Sequence, residues 1–238
     1  MIQLVKRLMP FKFKRDVKEH LGVPSLHWSL NNLKRCGFTP SFVADIGAYE
    51  GYWTRDLLEV FPDAKVFMIE AQQGKAEKLA VVTRAFPQVQ YAIQLLSSED
   101  NAEVLFLESE TASHVMKGQA AEGAATKKTL TLDSLVESRF KTYPDMLKLD
   151  VQGHELEVLK GGSRCLQHAQ VCLLEISLLD LGDKEPLLRD VLNFMHEHQF
   201  QAYDIPGLMR RPYDKALHQI DMFFVKTNSP LIASKRWN

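Results

Sequence analysis

The sequence predicts an α/β domain built on a mostly parallel sheet, doubly wound with helices on both faces and closed by one reversed strand. Three observations predict it. From about residue 39, apolar runs of strand length alternate with segments of helical periodicity. The runs that end this way place Gly47, Glu70 and Asp150 where strands give way to helices. The last two runs, Phe200 to Ile205 and Ile220 to Lys226, are joined by a loop holding Pro206, Gly207 and Pro212. With no room for a helix between them, these two must be antiparallel. A chain of 238 residues, 45% hydrophobic and 25% charged, is long enough for one such domain and too apolar to stay disordered.

Each element has its own justification. Leu26, Leu30 and Leu33 recur at helical spacing after Ser25, and Gly37 follows as a C-terminal cap. Phe42 to Ile46 is the first strand, and Trp53 to Phe61 the helix behind it. Val66 to Glu70, Gln73 to Ala85 and Val89 to Leu96 repeat the pattern as strand, helix and strand. After Ser97 the rhythm changes. Glu103 to Glu108 and Lys127 to Leu132 read as an extra hairpin around a Gly- and Ala-rich loop, Gly118 to Thr126, and Asp133 is placed to cap the short helix that follows. Met146 to Asp150 and Val171 to Ile176 are further buried strands, separated by a helix from Glu155 that Gly161 and Gly162 end. Pro186 to His198 is helical, with Leu187, Val191, Phe194 and Met195 on one face. The expected organisation is a basic and helical extension over residues 1–38, a core domain over 39–228 and a tail over 229–238.

Charge and cysteine usage exclude several classes. A formal net charge of -1 provides no global field for nucleic acid, and no nucleic-acid-binding motif is present. The basic stretch with Lys6, Arg7, Lys12, Lys14, Arg15 and Lys18 reads as a solvated arm or packed helix, since Pro10 interrupts an amphipathic face; weak attraction to anionic lipid is the other reading. No apolar run approaches the roughly 20 residues of a membrane span. Cys36, Cys165 and Cys172 have no paired spacing for zinc or a disulfide framework, so a reducing cytoplasm is the expected compartment.

The chemistry concentrates at the strand ends. Asp45-Ile46-Gly47-Ala48-Tyr49-Glu50-Gly51 spans the first strand-to-helix turn, and Glu70 ends the next strand, where a carboxylate can accept both hydroxyls of a ribose. A dinucleotide site wants Gly-x-Gly-x-x-Gly, yet Tyr49 fills the second glycine position. Acidic-x-Gly-x-x-x-Gly led by Asp45 instead suits a cofactor with an amino acid end, whose ammonium favours a carboxylate; S-adenosylmethionine has one.

Val43-Ala44-Asp45-Ile46-Gly47-Ala48 with Gly51, and Leu147-Lys148-Leu149-Asp150-Val151-Gln152-Gly153-His154-Glu155 with Val158-Leu159-Lys160-Gly161, resemble the FkbM family of S-adenosylmethionine-dependent methyltransferases. Thr131-Leu132-Asp133-Ser134-Leu135 and Leu174-Glu175 follow the family's order, and the resemblance runs from about Leu26 to Lys226. It implies a class I, Rossmann-like methyltransferase fold with a seven-stranded sheet, and methyl transfer to a hydroxyl of a sugar, polyketide or other small metabolite. By the same resemblance Asp45, Gly47, Ala48, Tyr49 and Gly51 form the loop for the methionine part, Glu70 holds the ribose, and Ser97 falls where this fold places the adenine. The family commonly has Asn at Tyr49, a residue more tolerant of positive φ, and Glu at Gln152. One carboxylate fewer at that turn weighs against a divalent metal without deciding the point.

A hydroxyl acceptor must lose a proton. Asp150 ends the fourth parallel strand beside the cofactor crevice, and a carboxylate after an apolar strand is costly to bury without a task. His154 has the reference pKa of a base near neutrality, or is a solvent-facing residue of the first helical turn. Glu155 complements the helix dipole, whereas Glu175 in an apolar strand is placed to face the acceptor. Arg210 and Arg211, in the loop after Asp204, either bind an acidic group of the acceptor or belong to a solvated loop. The alternatives are a nicotinamide-dependent oxidoreductase, disfavoured by Tyr49 and the reversed strand, and a cofactor-binding protein without turnover.

Overall fold

The computed structural model describes residues 23–109, 113–116, 123–181 and 185–237. The basic stretch of residues 1–19 and most of the Gly- and Ala-rich loop lie outside the described residues. In chain order the elements are α1 (Leu26–Arg35), β1 (Phe42–Ile46), α2 (Tyr52–Val60), β2 (Lys65–Glu70), α3 (Ala76–Ala85), β3 (Val89–Ile93), β4 (Leu95–Leu96), β5 (Glu103–Leu107) and β6 (His114–Val115). They continue with β7 (Ala124–Leu130), α4 (Leu132–Glu137), β8 (Met146–Leu149), α5 (Glu155–Lys160), α6 (Ser163–His168), β9 (Val171–Ser177), α7 (Leu188–Glu197), β10 (Phe200–Arg210) and β11 (Leu217–Lys226).

The main sheet has seven strands in the order β10-β11-β9-β8-β1-β2-β3, and only β11 runs against its neighbours. Strand pleating sorts the core. Phe42, Ala44 and Ile46 pack on one face with the leucines and valines of α4 to α7, while Val43, Val66 and Met68 pack on the other with Leu30, Leu33, Leu57 and Leu79. Both faces are therefore covered, which is why β1 is buried at all five positions and reads as an unbroken apolar run. Chain order reverses at β1, between β2 and β8, and such a switch point opens a crevice at the carboxyl ends of the strands.

Ser25 caps α1 by accepting from the Trp28 amide at 3.1 Å, and Gly37, at φ +94°, ends it as its position predicts. Other details depart from the sequence reading. The third strand splits at Gln94: β3 stays beside β2, while β4 turns away to pair with β7. The expected hairpin is thus part of a second, four-stranded sheet ordered β4-β7-β5-β6. β10 runs through Pro206 and Gly207 to Arg210, because register shifts on this edge strand absorb both residues. Among the described residues, no helix is long and apolar enough to cross a membrane.

Asp133, the second residue of α4, does not cap that helix. Thr131 caps α4, accepting from the Ser134 amide at 3.1 Å. The Asp133 carboxylate instead accepts from the amides of Arg164 and Cys165, both at 2.9 Å, and so caps α6. Asp133→Ala leaves a buried Cys165 amide without its acceptor, so urea unfolding is expected to report a loss of about 2 kcal/mol.

Candidate functional site

The crevice at the switch point holds a cleft of about 370 Å³. Gly47 and Tyr49 from the turn after β1, Glu70 from the end of β2, Asp150 and His154 from the turn after β8, and Glu175 from β9 all line it. Six of the expected site residues thus converge on one cavity, although β1, β2, β8 and β9 are far apart in the chain.

The turn after β1 is held from below. The amides of Gly47 and Ala48 donate to the Ile69 carbonyl at 2.9 and 3.1 Å, and the Tyr49 amide donates to Glu70 Oε2 at 2.7 Å. Glu70 Oε1 accepts from the Gln72 amide at 2.9 Å. These four amides are thus all bonded within the protein, two of them to the Glu70 carboxylate on the cleft wall. Gly47, at φ +75°, clears space for protein: a Cβ there would stand 1.8 Å from the Asp150 carbonyl oxygen. Gly51, at φ +76°, does the same for α3, where a Cβ would meet Val82 Cγ2 at 2.7 Å. Ala48 is buried in the core and is not part of the cleft wall. Tyr49 does adopt the left-handed conformation, φ +50°, that asparagine tolerates better, and the Lys75 ammonium lies 4.1 Å from its ring centroid.

Asp45 is corrected most plainly. Its fully buried carboxylate does not reach the cleft; Oδ2 accepts from Thr54 Oγ1 at 2.7 Å, and Oδ1 pairs with Lys148 Nζ at 3.1 Å. Lys148 sits opposite Asp45 on β8 and also donates to the Gly47 carbonyl at 2.8 Å. Its ammonium lies 3.7 Å from Asp150 Oδ2. Burial by itself depresses a lysine, but Asp45, then Asp150, outweigh it and hold Lys148 above its ordinary value. This cation, unassigned by the sequence reading, ties the turn after β1 to Asp150. Its signal was a charge within an apolar strand.

The turn after β8 carries the acids. Gln152 and Gly153 both have positive φ, +53° and +84°, and Gln152 Nε2 donates to Asp150 Oδ1 at 3.0 Å and to Glu175 Oε2 at 2.8 Å. Burial, then the charge of Asp150, pushes Glu175 well above the usual carboxylate range. Asp221, across on β11, is raised for the same two reasons. The Asp150 side chain is 42% exposed.

His154 neither faces solvent nor joins this acid group. It is buried, and Nε2 lies 3.0 Å from the hydroxyl of Ser97, which is itself buried just after β4 and does not line the cleft, so His154 alone of the pair reaches the cleft wall. Arg210 and Arg211 stay within their own hairpin: Arg210 donates to the Lys215 carbonyl, and Arg211 grips Asp214 through two bonds of 2.7 and 2.6 Å. Neither lines the cleft. That hairpin contributes Met209 and Gln219 instead. No group of three or more metal-ligating side chains occurs among the described residues.

Glu155 is more than a dipole partner. Its buried carboxylate accepts from the Val151 amide at 2.9 Å and the Gly153 amide at 3.4 Å, closing the turn. Burial raises its pKa to about 7 from an ordinary 4.5. The folded state therefore holds an extra proton between those values. The stabilisation is complete below about pH 4.5 and is lost as pH rises through about 7. Glu155→Gln keeps an acceptor oxygen, so in urea titrations it is expected to remove on the order of 2–3 kcal/mol of the stability difference between pH 5 and pH 8.

A family model described as the Methyltransferase FkbM domain matches residues 45–202. The hexuronic acid methyltransferase AglP of Haloferax volcanii is 33% identical over 113 residues, 48% of this chain and 47% of AglP. The chain thus matches about half the length of that relative. The crystal structure of methyltransferase FkbM from Methylobacillus flagellatus KT shares the fold, with a TM-score of 0.50 and 18% identity over 77% of this chain and 43% of that one. Since the family model spans the sheet from β1 into β10, including every turn that lines the cleft's floor, the chain belongs to the FkbM methyltransferase family.

Proposed function

We propose that the domain over residues 39–228 transfers a methyl group from S-adenosylmethionine to a hydroxyl of a small metabolite, a sugar or glycan precursor. The similarity to a hexuronic acid methyltransferase supports that substrate class. The observation that carries the chemistry is Asp150: a carboxylate at a strand end, on the cleft wall, flanked by Lys148 and Gln152 and beside Glu175, whose pKa burial raises.

The residues present fit the cofactor. Glu70 is a buried carboxylate in the cleft wall, and each of its oxygens accepts one amide and keeps a further lone pair, as a ribose diol requires. Gly47 keeps the turn after β1 pressed against the Asp150 backbone, so both turns border the same cleft. His154, held by Ser97 behind it, lines the end of the cleft near β4 that we assign to the adenine. When bound, the cofactor supplies an electrophilic methyl group on a sulfonium. Asp150 takes the acceptor's hydroxyl proton onto a carboxylate oxygen, and the carboxylate is oriented by Gln152, which donates to Oδ1, and by the Lys148 ammonium, which lies beside Oδ2. Glu175, when protonated, lies next to Asp150 without adding a second negative charge. Asp45 acts at one remove, by positioning Lys148.

A hexuronic acid offers both hydroxyls and a carboxylate, and only a hydroxyl needs a base. Incubation with methyl-tritiated S-adenosylmethionine and p-nitrophenyl β-D-glucuronide or β-D-glucoside separates the two. Base-stable label in the product, the mark of an ether, is expected. Base-labile label, the mark of an ester, contradicts the role given to Asp150.

A further inference from the structure

A second cavity, of about 210 Å³, adjoins the cleft and shares Gln152 and Gln219 with it as common walls. Its lining comes from elements that reach the same edge of the sheet: Leu179 and Asp180 after β9, Glu185 before α7, and His218 on β11. Two histidines, His114 and His218, and two carboxylates alternate there with the leucines. The cavity is smaller than the roughly 300–1,000 Å³ of a drug-sized ligand site, so it takes a single ring.

The geometry is built rather than accidental. Glu185 is held by Ser177, whose hydroxyl donates to Oε2 at 2.8 Å, and its stem rests on Gly153, where a Cβ would stand 2.4 Å from Glu185 Cγ. Gly153 thus admits Glu185, while the positive φ of Gln152 turns its carboxamide onto Asp150 and Glu175. The backbone carbonyl of His218 is fixed by the Leu178 amide at 2.8 Å. Its Nδ1 is buried and makes no hydrogen bond among the described residues, while the residue as a whole is half-buried and lines the cavity.

We propose that this second cavity is the acceptor site and holds one pyranose ring. Resting on the methyl-transfer reading above, it sets the ring hydroxyls against His218, Asp180 and the two carboxamides. The ring's apolar face lies on Leu179, and the hydroxyl to be methylated passes between Gln152 and Gln219 toward Asp150. Mixed donors and acceptors beside an aliphatic surface are what a polyhydroxylated ring with an apolar face requires.

Calorimetry on the protein saturated with S-adenosylhomocysteine tests this, with p-nitrophenyl β-D-glucoside and β-D-glucuronide as probes. At least one glycoside is expected to bind. Leu179→Trp, which fills the cavity, is expected to weaken it by about tenfold or more, and His218→Ala by about three- to tenfold. Both variants should bind S-adenosylhomocysteine within about twofold of the parent and keep its melting temperature. If the parent binds S-adenosylhomocysteine but neither glycoside, or binds a glycoside that both variants bind equally well, the assignment of the cavity is overturned and the methyltransferase reading stands. Failure of the parent to bind S-adenosylhomocysteine overturns both.

Discussion

Asp150→Asn is expected to lower kcat by about 10²- to 10⁴-fold while leaving the S-adenosylmethionine Kd within a few-fold of the parent. The substitution keeps the side chain's size and one oxygen. It removes the site that takes the proton and weakens the 3.7 Å pairing with Lys148. Because Asp45 remains 3.1 Å from the same ammonium, the buried lysine keeps its main partner and the fold survives. Single-turnover kinetics with bound cofactor isolate the chemical step. An unchanged rate in that experiment removes Asp150 from the reaction.

Glu70→Ala is expected to raise the Kd for S-adenosylmethionine by about 100-fold, the order of two charge-assisted hydrogen bonds lost at a sheltered site. It also frees the amides of Tyr49 and Gln72, so the turn after β1 loses its tie to β2. Glu70→Gln separates these effects. It can still accept from one amide through its carbonyl oxygen, but no longer offers two acceptor oxygens to a ribose. Isothermal titration should therefore find the Gln variant close to the Ala variant in cofactor affinity, and thermal unfolding should place it between the parent and the Ala variant, since one of the two amide bonds is kept. Equal affinity of all three proteins for the cofactor would remove Glu70 from the site.

The frame of the molecule was legible because local pattern and buried position coincide. β1, β2, β8 and β9 are apolar runs that the structure buries on both faces, and Gly47, Glu70, Asp150 and Glu175 reach the cleft as their places at or near strand ends require. Pairings between distant elements were not legible. Whether Asp45 faces a ligand or Lys148 depends on the register of β1 against β8, and no local pattern encodes that register. The same holds for Asp133, whose partners belong to α6, and for His154 with Ser97. The hairpin was misread for a different reason. Pro206 and Gly207 carry the composition of a turn but sit in an edge strand that tolerates them, while the real turn follows Arg211 and uses that arginine to bind Asp214.

The central claim is that the cleft between the turns after β1, β2 and β8 binds an adenosyl sulfonium rather than a nicotinamide dinucleotide. Titration calorimetry of the full chain with S-adenosylmethionine, S-adenosylhomocysteine and oxidised nicotinamide adenine dinucleotide tests it most directly. Saturable one-to-one binding of the first two, with no heat from the third, is the predicted result; binding of the dinucleotide in their place would contradict it.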